Sequence, residues 1–235
     1  MHRVAHRGYS WVAPENTLPA LAGALRAGAT HVEFDVRTTA DDVPVVIHDR
    51  TVDRTTDGSG YVWDLGFDEV RALDAGSWFS PAFAGVRVPS LAEVLALPLG
   101  DASLLLEIKP PASPVEVKRI VAMLGDLAPR TIIQSFDPAV LALVRDAAPD
   151  IRRGLLRLRF DEETPRLARE LDVVCCNPPA VDILDNPGII SSLSGIEVMP
   201  WTANDLGAWP ALAAAGVAGL ITDRAGELTG WASSS

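Results

Sequence analysis

The chain is short of lysine: among 235 residues only Lys109 and Lys118 stand beside eighteen arginines. With 31 acidic residues the formal net charge is −11. The surplus of basic residues that draws a protein to nucleic acid or an anionic bilayer is therefore missing, and any anionic ligand must be met by local positive charge. Cysteine is almost absent too. Cys175 and Cys176 are adjacent, a spacing that seldom closes a disulfide, and no metal-type cysteine spacing exists; they read as buried thiols in a reducing compartment. No apolar run reaches the roughly 18 residues of a membrane span, because the longest candidate, residues 209–222, is broken by Gly216 and Gly219. The stretch before His6 leaves no room for a secretory leader, so a cytoplasmic protein is expected. A G-x-S-x-G elbow, a Walker A loop and an HExxH pair are also missing, which argues against three common hydrolase chemistries.

What is present is alternation. Strand-like stretches at 3–7, 30–37, 43–49, 103–109, 131–136, 152–158, 172–177, 197–201 and 218–223 are interleaved with helical patterns at 18–28, 113–127, 138–149, 162–172 and 205–216. This is the signature of a parallel sheet with crossover helices. The length is close to the roughly 250 residues of a (β/α)8 TIM barrel, so a single α/β domain over residues 1–235 is expected, with one of the nine strands outside the barrel or merged into it. Residues 55–98 break the alternation and carry six of the fourteen aromatics: Tyr61, Trp63, Phe67, Trp78, Phe79 and Phe83. They predict a small insertion, about residues 50–98, that packs its own core over one end of the barrel and ends at a Ser90/Glu93 capping box. Near the start, Pro14-Glu15-Asn16-Thr17 reads as a helix entry, with Asn16 or Thr17 as the cap.

Side chains alternate along a strand. Glu33, Asp35 and Arg37 therefore share one face of their strand, and Leu105, Glu107 and Lys109 share one face of theirs. The outward face of a barrel strand lies under apolar helices, so these charges belong inside, at the carboxyl-terminal mouth. Three carboxylates gathered there repel one another, which calls for a divalent cation or for raised pKa values. All-oxygen ligation favours Mg²⁺, Ca²⁺ or Mn²⁺ over Zn²⁺. The plainer alternative is that Glu33, Asp35 and Glu107 form ion pairs with Arg37, Lys109 and Arg7. His6 and His48 each fall near the end of a candidate strand, where two imidazoles entering one mouth suit paired general acid and base work.

The ordered set HRG at 6–8, PENT at 14–17, EFD at 33–35, HD at 48–49 with DRTT at 53–56, EIK at 107–109, PWTAND at 200–205 and GLITDR at 219–224 resembles the glycerophosphodiester phosphodiesterase family. Each motif is weak, but their order and spacing over nearly the whole chain are specific. The resemblance implies a (β/α)8 barrel with an insertion after its second barrel strand. It also implies a metal-dependent hydrolase that converts glycerophosphodiesters to sn-glycerol 3-phosphate and an alcohol. His6 and His48 would be the acid–base pair; Glu33, Asp35 and Glu107 would bind one divalent cation, Mg²⁺ or Ca²⁺; Arg7 and Lys109 would bind phosphate oxygens; Trp201 would line the substrate pocket. The partner is then a small molecule and not a nucleic acid. Two further readings share the fold: a phospholipase D-like or cyclising enzyme acting on lysophospholipids, and a non-catalytic barrel that holds a metal and a phosphate.

Overall fold

The structure is a computed structural model and describes residues 1–234. Its nine strands form one sheet. Eight are parallel: β1 (His2–Ala5), β2 (His31–Thr38), β4 (Ser103–Ile108), β5 (Thr131–Ser135), β6 (Arg152–Leu156), β7 (Cys175–Asn177), β8 (Glu197–Val198) and β9 (Gly219–Thr222). The sheet runs β8-β7-β6-β5-β4-β2-β1-β9. Its two ends are joined by backbone hydrogen bonds from Ala218 N to Val198 O (2.8 Å) and from Ile221 N to Pro200 O (3.0 Å). The fold is the (β/α)8 TIM barrel.

The ninth strand, β3 (Pro44–Val46), runs antiparallel to β2. The 43–49 stretch is thus a hairpin arm outside the barrel. His48 lies just beyond it.

Helix positions follow from the apolar spacing. The first helix, α1 (Leu18–Arg26), buries Ala20, Leu21 and Ala24 on one face. Of the two candidate caps it uses Thr17, which accepts from Ala20 N; Asn16 is engaged elsewhere. The barrel interior is layered as the strand parity requires. Val4, Leu105, Ile132, Cys175, Met199 and Ile221 form an apolar plug; Glu107 and Gln134 follow Leu105 and Ile132 toward the mouth, and Glu33 is in register with Leu105. Val32, Phe34, Val36, Leu104, Leu106 and Ile108 face the other way, into the core beneath the helices. Cys175 points into the plug and Cys176 into the second outer core, so the adjacent thiols lie on opposite faces.

Between β3 and β4 the chain makes short helices at Phe67–Ala72 and Leu91–Leu95, the latter with the expected Ser90/Glu93 capping box. The small core there differs from the expected aromatic one. Val45, Ile47, Val52, Val62, Val70, Ala75 and Val88 fill it, and of the six aromatics only Phe67 packs against it. Tyr61, Trp63 and Trp78 stay exposed, and Tyr61 stacks on Trp63 at 4.7 Å. No helix among the described residues is long and apolar enough to cross a membrane.

The turn that leaves β1 depends on backbone freedom. Arg7 and Gly8 adopt φ of 54° and 82°, which lets Gly8 N reach Glu33 O (3.2 Å). A Cβ on Gly8 would sit 2.5 Å from the Ala20 carbonyl carbon. Gly8→Ala combines left-handed strain with a backbone clash, so it should lower unfolding free energy by about 2 kcal/mol or more; a urea midpoint equal to that of the parent protein would contradict this.

Candidate active site

Each charged residue at the mouth is delivered by a strand end. Val36 pairs with Ile108 and Asp35 with Glu107 across β2 and β4, and Glu107 pairs with Gln134 across β4 and β5. That register sets Glu33, Asp35 and Glu107 so that one carboxylate oxygen of each lies within 4.8 Å of the others. All three are buried. Glu33 Oε2 accepts from Arg7 N (2.8 Å) and its Oε1 from Gln134 Nε2 (3.3 Å). Asp35 Oδ2 accepts from Asn16 Nδ2 (2.7 Å), while Asn16 Oδ1 accepts from Asp35 N (3.1 Å).

Lys109 Nζ lies 2.9 Å from Asp35 Oδ1 and 2.7 Å from Glu107 Oε1. The second approach is close but poorly directed, and Glu107 Oε1 has no hydrogen-bond partner despite its burial. Arg7 Nε is 3.4 Å from Asp35 Oδ2. The ion-pair alternative is therefore met in part: Lys109 and Arg7 engage the carboxylates, whereas Arg37 turns away to donate to the His48 and Pro110 carbonyls.

The charges respond unequally. Burial raises the Glu33 carboxyl well above its ordinary value, and the fields of Asp35 and Glu107 add to the rise. Burial, again reinforced by Asp35, pushes Glu107 up to about 8 against the opposing Lys109 charge. Burial also acts on Asp35, but Lys109 and Arg7 overcome it and hold that carboxyl far below the usual range. If all three carboxylates are ionised, the two cations leave one negative charge unbalanced. An orphaned buried oxygen, an oxygen-only donor set and this residual charge fit a hard divalent cation.

A cavity of about 300 Å³ opens over this layer, lined by His6, Arg7, Glu33, His48, Glu107, Lys109, Trp201 and also Gln134, Phe136 and Leu158. Asp35 sits behind Lys109, off the cavity wall. A larger cavity of about 380 Å³ shares Lys109 but is walled by Trp63, Ser113 and Glu116 and contains neither histidine. The smaller one is where the chemistry converges. Trp201 is fixed by its indole Nε1, which donates to Asn177 O (2.8 Å), and it meets Phe136 edge-on at 5.3 Å.

Both histidines are held by carboxylates. His6 Nδ1 donates to Asp223 Oδ1 (2.7 Å), and His48 Nδ1 donates to Asp49 Oδ1 (2.6 Å). Each imidazole thus keeps Nε2 for the cavity. Burial, helped by the Lys109 and Arg7 charges, holds the His48 imidazole below its ordinary value although Asp35 pulls the other way. Burial raises both orienting carboxyls, yet hydrogen bonds bring each down to about 2: Arg54 and His48 act on Asp49, and His6 and Asn204 on Asp223. The sequence reading assigned no role in the site to Asp49, Asp223 or Gln134, and took Asn16 only as a candidate helix cap. Both Gln134 and Asp223 were legible, since they share inward parity with Ile132 and Ile221.

A (β/α)8 barrel with charged groups converging at the carboxyl ends of its strands is the architecture of an enzyme. The Glycerophosphoryl diester phosphodiesterase family matches the chain over residues 6–227. A glycerophosphodiester phosphodiesterase of Caldanaerobacter subterraneus subsp. tengcongensis is 37% identical over 228 residues, covering 94% of this chain and 93% of the relative. Among solved structures, a glycerophosphodiester phosphodiesterase from Agrobacterium tumefaciens aligns with a TM-score of 0.85 at 33% identity, over 98% of this chain and all of that one. An Oleispira antarctica phosphodiesterase in complex with the product sn-glycerol-3-phosphate aligns with a TM-score of 0.93 at 27% identity, over 99% of this chain and 97% of that one. The chain belongs to the glycerophosphoryl diester phosphodiesterase family.

The Glu107 carboxyl, raised to about 8, favours a proton that a cation bound there would displace, and burial pushes Glu33 in the same direction. Mg²⁺ or Ca²⁺ titrated into the substrate-free protein should therefore release protons, and affinity should rise with pH through about 8. Calorimetry in buffers of different ionisation enthalpy checks this; heats independent of buffer would contradict it.

Proposed function

We propose that the protein hydrolyses glycerophosphodiesters to sn-glycerol 3-phosphate and an alcohol. The observation that carries this reading is the pair of imidazoles on one cavity wall, each with Nδ1 tied to a carboxylate, beside Arg7 and Lys109. Arg7 and Lys109 bind the phosphate oxygens and stabilise charge that grows as the phosphorus–oxygen bond is attacked. Of His6 and His48, one takes the proton of the attacking hydroxyl and the other returns a proton to the leaving alcohol oxygen. The bound imidazole tautomer is set by Asp223 and Asp49, as in other carboxylate-oriented histidines. Trp201 supplies an apolar wall for the glycerol or alcohol moiety.

Glu33, Asp35 and Glu107 are the residues that would hold one divalent cation, Mg²⁺ or Ca²⁺ with Mn²⁺ also compatible. When bound it supplies charge neutralisation for nonbridging phosphate oxygens. With all three carboxylates ionised around it, the local charge would be one positive, which complements a singly charged phosphodiester. The excursion at about residues 50–98 belongs to the single domain of residues 1–235. The two free, buried cysteines suit a reducing, cytoplasmic setting.

A second reading, hydrolysis of lysophospholipids, is favoured by one observation: Trp11, Trp63 and Leu158 are 50%, 40% and 75% exposed on segments that follow or overlie barrel strands. An acyl chain needs such a rim.

The test is release of glycerol 3-phosphate from glycerophosphocholine and glycerophosphoethanolamine, and of choline from lysophosphatidylcholine, with chelator-stripped protein and with cations restored. Cation-dependent release from the first two is expected. Faster turnover of the lysolipid would move the assignment to the second reading. His6→Ala and His48→Ala should each lower kcat by at least about 100-fold, and a variant with parental turnover would remove that histidine from the acid–base pair.

A further inference from the structure

Two sequence motifs remain unused by this mechanism: Glu15 of PENT and Arg54 of DRTT. In the fold they meet. Arg54 Nη1 donates to Glu15 Oε2 (2.9 Å) and Nη2 to Glu15 Oε1 (2.8 Å), while its Nε donates to Asp49 Oδ2 (2.6 Å). One guanidinium thus serves two carboxylates. The first, Glu15 Oε1, also accepts from Arg7 Nη1 (2.8 Å). The second, Asp49, receives His48 Nδ1 through Oδ1. An unbroken chain of charge-assisted hydrogen bonds runs His48–Asp49–Arg54–Glu15–Arg7.

We infer that Arg54 is a positioning residue that indexes the His48 imidazole to the Arg7 guanidinium, so that acid–base group and phosphate-binding group keep one mutual geometry. The inference rests on the proposed diesterase reading for its kinetic consequences.

Three points support it. His48 stands on the excursion side of the mouth and Arg7 on the turn after β1; the His48 ring is held by Asp49, which Arg54 grips in turn, whereas Arg37 reaches only the His48 backbone carbonyl. The guanidinium fork is used at both faces, a geometry that a lysine cannot reproduce. Finally, the Arg54 side chain is 45% exposed, so solvent screens its charge and its ion pairs should add little to global stability. The same residue is thus poorly placed to act as a stabiliser and well placed to fix directions. The two histidine–carboxylate pairs differ in this respect, because Asp223 is braced by neutral donors, Ser10 Oγ and Asn204 Nδ2.

The experiment compares Arg54→Met, Asp49→Asn, Glu15→Gln and their combinations by steady-state kinetics, with folding followed by circular dichroism and a urea midpoint. Arg54→Met should lower kcat and raise KM, together reducing kcat/KM by about tenfold or more, with a midpoint near the parental one. On the Asp49→Asn/Glu15→Gln background the same substitution should add almost nothing, because residues that act as a unit are non-additive. Arg54→Lys keeps the charge without the fork and should remain impaired; it also serves if the methionine variant folds poorly. Parental kinetics in Arg54→Met, or a factor that multiplies undiminished on the double background, would overturn the inference. A readout independent of turnover is the imidazole ¹⁵N spectrum of the substrate-free protein, with His48 assigned by its alanine variant. Loss of the fixed Nδ1-protonated tautomer in Arg54→Met supports the link, and an unchanged spectrum overturns it even if no glycerophosphodiester is turned over.

Discussion

Repulsion among three buried carboxylates organises the mouth of this barrel. Glu33, Asp35 and Glu107 are 2%, 1% and 4% exposed, and water cannot screen what the strands force together. The surroundings answer that problem: Lys109 is inserted between two of them, the Arg7 backbone and side chain are turned toward the group, and Asn16 clamps Asp35 from both its amide atoms. Even so the compensation is incomplete. A buried group that is nearly but not wholly balanced is costly in an apolar interior, and such imbalance is the usual mark of a place where a charged ligand completes the structure.

The barrel turns that local problem into geometry. Because side chains alternate, each inward strand position is either plug or site, and a one-residue slip would exchange them. The apolar plug below the carboxylates fixes their height, and the neighbouring register fixes their spacing. Loops then need only add groups around a rigid centre. His6, Asp223 and Trp201 come from short segments just beyond strands, whereas His48, Asp49 and Arg54 arrive on the long excursion.

What the sequence made legible follows the same division. Period-two alternation was enough to place Glu33, Asp35, Glu107 and Lys109 inside, and apolar spacing was enough to mark the crossover helices. Contacts between distant loops were not written in any local pattern. Asn16 looked like a helix cap because its neighbour is one, and Arg37 looked like an ion-pair partner because it shares the parity of Asp35; only the fold sends it to two carbonyls instead. The aromatics of the excursion misled for a related reason. Composition indicated a core but could not say that valines would take its inside and tryptophans its outside.

The pairing of β1 with β9 makes the first and last strands immediate neighbours, and His6 takes its orienting carboxylate from a residue 217 positions later. During synthesis, then, His6 emerges well before its orienting carboxylate, which lies 217 positions further along the chain. The barrel cannot acquire its chemistry in instalments: a nascent polypeptide that stops short of β9 carries most of the charged centre yet lacks the stave that closes the sheet beside β1 and brings Asp223 to His6.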